Sequence, residues 1–108
     1  MSYNIFTSEL FEKEFKRLCK KYRSAKTDVV AFVQDLKNNP HQGVRLGNDC
    51  YKIRIAIASK RKGKSGGVRL ITRVRVVNET IYLLSIYDKS EQESISDKEL
   101  EAVLKSLL

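Results

Sequence analysis

Three cations in this chain are spaced to hold one phosphate. Lys52 and Arg54 lie two apart in the stretch YKIRIAIA, residues 51–58, where Tyr51, Ile53, Ile55 and Ile57 alternate with Lys52, Arg54, Ala56 and Ala58. Such alternation puts the isoleucines on a core face and both cations on the open face of a strand. If the strand opening GVRLI pairs antiparallel with it, Arg69 comes near the same face. Three cations around one spot repel each other unless an anion sits between them, and the planar fork of arginine suits the oxygens of a phosphate. The plain alternative is a solvated sheet face with scattered cations. Tyr87 ends a third strand and Lys89 follows it, and strand ends beside loops are good places for reactive groups.

The link between the first two strands, SKRKGKSGG, brings Lys60, Arg61, Lys62 and Lys64 and no acid. A basic, glycine-rich loop can grip a nucleic-acid backbone without reading its sequence, though a merely solubilising hairpin loop has the same composition. The GKS at 63–65 is not a phosphate-binding P-loop, because Ala58 stands where the earlier glycine belongs and a strand follows instead of a helix. Arg73 and Arg75 extend the cationic set. The formal net charge is +8, and residues 41–89 alone carry eleven bases against three acids. A polyanionic partner follows, most often nucleic acid. A membrane surface fits less well, since it favours a basic amphipathic helix and this charge lies among strands.

Other chemistries are poorly served. With two cysteines and one histidine the chain has neither a disulfide framework nor a zinc site. His41, after Pro40, reads as a surface residue and Cys50 as packing. Asp49, Glu79 and Asp88 are too few and scattered for metal catalysis, so any hydrolysis should need no metal, and no cofactor motif is present. With no leader-like N-terminus and no apolar run of membrane-spanning length, the expectation is a soluble, cytoplasmic protein.

The elements that must position these residues can be read in order. One domain over 1–108 is expected. YNIF is a short strand. TSELFEKEFKRLCKKY reads as a helix capped by Thr7 or Ser8, with Leu10, Phe11, Phe15, Leu18, Cys19 and Tyr22 at helical spacing. Ser24 starts a second helix striped by Val29, Phe32, Val33 and Leu36 and stopped at Asn38–Pro40, which makes a helical hairpin. Three strands follow, at 51–58, 67–77 and 80–87, with Asn78 and Glu79 as a tight turn. Short links imply an antiparallel meander, and the third strand, apolar nearly throughout, should be central. In the tail, Ser96 and Glu99 fit a capping box and Ile95 and Leu100 its hydrophobic staple. The class is α+β.

NDCYKIRI, then a strand opening GGVRLI and another ending YLLSIYDKSE, resemble the RelE/ParE toxin superfamily. SKRKGKSGGVRLI and YLLSIYDKSEQESISDKEL are most similar to its RelE/HigB branch. The similarity covers nearly the whole chain and implies the RelE-like fold. It further implies a toxin of a type II toxin–antitoxin module that cuts messenger RNA in the ribosomal decoding site and is silenced by a cognate antitoxin. Carried over residue by residue, the family's strand cations fall on Lys52 and Arg54, its next-strand arginine on Arg69, a loop lysine on Lys64 or Lys62, and a tyrosine–lysine pair on Tyr87 and Lys89. The remaining loop and strand cations, Lys60, Arg61, Arg73 and Arg75, would contact RNA or the ribosome. The family prototype has a further tyrosine in its tail; none follows Tyr87 here, so the general base stays open.

Such an endoribonuclease would use the RNA's own 2′-hydroxyl as nucleophile. It needs a base, charge stabilisation at phosphorus and an acid for the leaving oxygen. Arg69 and Arg54 suit the second task, and Lys52, Tyr87 or Lys89 could share the others. A crowd of cations favours deprotonation of an amine or phenol within it, so the cluster could both hold phosphate and tune the base. Two alternatives stand beside this reading: a ParE-like inhibitor of DNA gyrase that cuts no RNA, and a basic nucleic-acid-binding module without catalysis.

Overall fold

The computed structural model describes residues 2–60 and 66–107. A five-stranded mixed sheet, in the order β1-β5-β4-β3-β2, carries two helices on one face and the third on the other. Chain order runs β1 (Asn4–Thr7), α1 (Glu9–Lys21), α2 (Ala25–Leu36), β2 (Val44–Gly47), β3 (Cys50–Ile55), β4 (Val68–Arg75), β5 (Thr80–Asp88) and α3 (Asp97–Ser106). The class is α+β, with the helical hairpin, the antiparallel β3–β4–β5 meander and the C-terminal helix where the sequence places them. Among the described residues no helix is long and apolar enough to cross a membrane.

α1 and α3 start where a hydroxyl takes up a free amide. Ser8 accepts a hydrogen bond from the Phe11 amide at 3.0 Å while donating to the Leu84 carbonyl at 2.7 Å, so the cap also fastens α1 to β5. Ser96 and Glu99 form the full capping box on α3. Ser24 precedes α2 but does not cap it. Its hydroxyl donates to Asp28 at 2.7 Å and accepts from the Ser59 amide at 2.8 Å.

Those contacts correct the expected strand 51–58. Pairing stops at Ile55, and Ala58–Lys60 forms a short 3-10 turn. The Ser24 and Asp28 side chains draw the Ala58 and Ser59 amides onto α2, and Ala56 and Ala58 become exposed loop residues instead of an open strand face. The second strand likewise ends at Arg75, so four residues, Val76–Glu79, join it to β5 in place of a two-residue turn. β2 is not visible in the sequence pattern because all four of its residues are exposed. It pairs antiparallel with β3 through Asn48 and Asp49, both in the left-handed region (φ 52° and 64°), as a type I′ hairpin requires. β1 pairs in parallel with β5, Asn4 opposite Thr80 through Thr7 opposite Leu83.

Two packed layers result. Phe11, Leu18, Val29 and Leu36 of the hairpin meet Ile53, Ile55, Leu70 and Ile86 on one side. Leu100 and Val103 of α3 meet Cys50, Ile71, Leu84 and Tyr87 on the other. Where β1 ends, α1 takes over the edge of β5: Glu14 accepts from the Ile86 amide at 3.1 Å and the Ser85 hydroxyl at 2.6 Å.

Gly67, at the mouth of β4, lies so close to β3 that a Cβ there would sit 2.1 Å from the Ile55 carbonyl oxygen. Because the obstacle is backbone, Gly67→Ala must push the start of β4 away. Urea unfolding is expected to show a loss on the order of 3 kcal/mol.

Candidate active site

Register brings the candidate residues together. Arg54 of β3 lies opposite Arg69 of β4, and Arg69 lies opposite Tyr87 of β5. The three form one row across the meander, on the face that α3 covers. Lys52 is in the neighbouring row, opposite Ile71 and on the same face. Tyr87 joins this row because of a bulge. Ile71 faces Ser85 and Thr72 faces Leu83, leaving Leu84 as an extra residue in β5. Tyr82 and Tyr87 are an odd number of positions apart, yet both pack on the α3 side. Without the bulge, strict alternation would turn Tyr87 towards the helical hairpin. Nothing in the apolar run TIYLLSIY signals this.

The row grades from open to buried. Arg54 is exposed and Lys52 half-buried, whereas Arg69 is 4% and Tyr87 5% exposed. One Arg69 nitrogen, Nη1, donates to the Val68 carbonyl at 3.3 Å. The Tyr87 hydroxyl is buried without a hydrogen-bond partner among the described residues; Ser94 and the Ile95 backbone lie near it, at a geometry short of a hydrogen bond. Burial pushes the Tyr87 phenol above its ordinary pKa, and the pull of the Arg69 guanidinium in the other direction is smaller. Cation crowding therefore does not make Tyr87 a ready phenolate, as its neighbours in sequence suggested. The phenol keeps its proton. Lys89 lies just past the strand, half-buried, its amide donating to the Gly67 carbonyl at 3.2 Å.

The other candidate cations separate. The Lys60 side chain is 5% exposed and ion-paired with Asp88, with a further bond to the Gly67 carbonyl at 3.2 Å. Arg73 is half-buried on the α3 face opposite Cys50, and its Nε has no hydrogen-bond partner among the described residues. Arg75 is exposed, 3.4 Å from the Asp49 carboxylate. Arg61, Lys62 and Lys64 lie outside the described residues. His41 is exposed, its Nδ1 3.0 Å from the Tyr51 hydroxyl.

Asp88 is the organising residue that sequence reasoning passed over as one of a few scattered acids. Buried at the end of β5, it accepts from Lys60, from Lys21 at 3.0 Å, and from the Ser90 amide and hydroxyl at 2.9 and 2.7 Å. The Tyr22 hydroxyl donates to it at 2.5 Å. Burial alone would raise its pKa, but the hydrogen bonds from Lys60, Tyr22 and Ser90 outweigh that and hold it well below the usual carboxylate range. The hub joins the end of α1, the 3-10 turn and the residues flanking Tyr87 and Lys89. No motif marks it, since apart from Ser90 its partners Lys60, Tyr22 and Lys21 are 28 to 67 positions away.

A search of the curated proteins finds no match. Solved structures do match in fold. A mutant of the Escherichia coli toxin RelE in the free state has a TM-score of 0.66 at 18% identity, with 100% of each chain covered. The isolated E. coli RelE toxin has a TM-score of 0.64 at 21% identity, covering 99% of this chain and 100% of that one. The toxin–antitoxin complex RelBE2 from Mycobacterium tuberculosis has a TM-score of 0.58 at 15% identity, covering 82% and 99%. The sequence family described as the RelE toxin of the RelE/RelB toxin–antitoxin system matches residues 7–107. With nearly its whole length matched, and a sheet and helices that superpose on RelE, this chain belongs to the RelE toxin family.

Proposed function

We propose that the chain is the endoribonuclease toxin of a type II toxin–antitoxin module, acting in the cytoplasm on messenger RNA held in the ribosomal decoding site. One observation carries this reading: Arg54, Arg69 and Tyr87 form a single cross-strand row, with Lys52 on the same face. The family's pairing of toxin with antitoxin supports a cognate antitoxin as the partner that silences it.

The reaction follows from what each group can do. Arg69 and Arg54 hold the non-bridging oxygens of the scissile phosphate and take up the charge that builds in the transition state. Lys52 accepts the proton of the 2′-hydroxyl as its oxygen bonds to phosphorus. The bond from phosphorus to the 5′-oxygen breaks, and Tyr87, kept protonated by burial, donates to that oxygen once α3 is lifted from the row that it covers. The products are a 2′,3′-cyclic phosphate and a free 5′-hydroxyl. The chemistry uses no metal. The chain's one histidine is engaged with Tyr51 instead of the row, so orientation must do more of the work. The ribosome supplies it by fixing the message, and free RNA is a poor substrate.

Induction in growing cells tests the reading when translation and DNA supercoiling are followed separately. Translation should stop, messages should shorten and supercoiling should stay constant. Altered supercoiling with intact messages would instead indicate gyrase inhibition. Growth without arrest would leave only a binding module.

Tyr87→Phe separates chemistry from folding. Its buried hydroxyl has no hydrogen-bond partner among the described residues, so removing it should cost no stability and could add some. Cleavage should nevertheless slow about 10²-fold through loss of the acid. Thermal melts and single-turnover cleavage of ribosome-bound message check the two halves.

A further inference from the structure

The face of the molecule away from the strand row carries a second concentration of positive charge. From Lys13 to Lys26, all seven solvent-exposed positions are lysine or arginine. Exposed helix faces ordinarily mix signs, because opposite charges three or four apart support the helix. Here the signs do not mix. Glu9 and Glu12 precede the run, Glu14 is turned inward onto Ser85 and Ile86, and among the described residues no ion pair joins Glu9 or Glu12 to a lysine.

Arg17 and Lys21 are engaged by Glu91, at 3.2 and 2.7 Å. Lys13, Lys16, Lys20, Arg23 and Lys26 have no ion pair among the described residues. At 100° per residue, Lys13, Lys16 and Lys20 fall on one stripe opposite Phe11, Phe15 and Leu18, spanning about 10 Å along the axis. Burial pushes the Cys19 thiol of α1 up, and Lys26, on the first turn of α2, is near enough to offset part of that, so it continues the same surface across the hairpin.

We infer that this α1–α2 ridge is a second nucleic-acid contact surface, binding the phosphodiester backbone of a double-helical segment without reading its sequence. A duplex carries a charge about every 1.7 Å of axis, so a 10 Å stripe faces about six phosphates. A membrane surface is the weaker partner: a membrane-bound amphipathic helix must insert its apolar face, and that of α1 is spent in the core against the sheet. The hairpin and the strand row lie on opposite sides of the sheet, so the ridge cannot reach a phosphate held by Arg54 and Arg69. It adds a separate attachment point.

The experiment measures binding of the full chain to a 20-base-pair RNA duplex and to a DNA duplex of the same length by fluorescence anisotropy across a salt series. The ridge variant is Lys13→Ala/Lys16→Ala/Lys20→Ala. The control, Arg45→Ala/Lys98→Ala/Lys105→Ala, removes three exposed cations elsewhere and lowers the net charge equally, from +8 to +5. The ridge variant should lose about 0.9 of the salt slope per cation, about 2.7 in all, on both duplexes. The control should keep the wild-type slope.

Equal losses in the two variants would mean that net charge, not the ridge, is responsible. No loss in either, or no duplex binding by the wild type, would also overturn the inference. So would a ridge variant that keeps duplex binding but releases phosphatidylserine-containing vesicles. All these outcomes are independent of whether the strand row cuts RNA.

Discussion

Replacing Arg69 with alanine should abolish growth arrest and slow cleavage of ribosome-bound message by about 10²–10³-fold, the usual effect of removing one preorganised donor from a developing oxyanion. The expectation rests on position. Arg69 stands in the middle of the row, between Arg54 and Tyr87, at 4% exposure. A charge held in such surroundings is screened far less than one in water. Arg69→Lys should recover only part of the rate, since an ammonium keeps the charge but not the bidentate fork. Thermal melts run beside the rates identify any share of the loss that comes from misfolding. Full activity in a folded Arg69→Ala protein would remove the proposed phosphate site.

Asp88→Asn should be the most destabilising of the single changes considered, by about 3–5 kcal/mol, because it leaves the Lys60 ammonium buried and unpaired. That is a large share of the roughly 5–15 kcal/mol typical of a domain. Adding Lys60→Met removes the stranded charge and should restore much of the loss. The hub also predicts an acid response. A carboxyl held below its ordinary pKa contributes stability above the unfolded-state value, about 4, and loses it as pH falls from there towards the folded value. Urea midpoints of the wild type should therefore begin to drop below about pH 4, narrowing the gap to Asp88→Asn as the pH falls further. Glu14, raised by burial, acts in the opposite sense, losing its contribution as pH rises through its folded value. A gap that stays constant with pH would show that Asp88 is not held ionised by its partners.

What could be read from the chain beforehand follows from which interactions are local. The Ser96–Glu99 box lies within one turn, and the alternation of Tyr51–Ile55 within one strand. The hairpin stripe of Phe11, Leu18, Val29 and Leu36 is periodic and meets the sheet as such a stripe must. Because Arg54 and Arg69 sit on alternating strands joined by one link, their shared face was accessible as well.

The features that escaped depend on distant partners. β2 has no buried face to leave a pattern. The end of β3 is set by Ser24 and Asp28, 30 or more positions from the amides they hold. The bulge at Leu84 is invisible in a strand that is buried on both faces. The protonated state of Tyr87 depends on α3 closing over it, and the burial of Lys60 on a carboxylate 28 positions away. The charge of α1 was legible as composition, but its segregation onto one face appears only when Glu14 is seen to turn inward.

The end groups of the RNA test the central claim most directly. Messenger RNA bound to ribosomes and exposed to the wild-type protein should yield downstream fragments with a 5′-hydroxyl and upstream fragments ending in a 2′,3′-cyclic phosphate. The Arg69→Ala protein should yield almost none. A 5′-phosphate on the downstream fragment would contradict attack by the RNA's own hydroxyl, and uncut message beside arrested translation would contradict cleavage altogether.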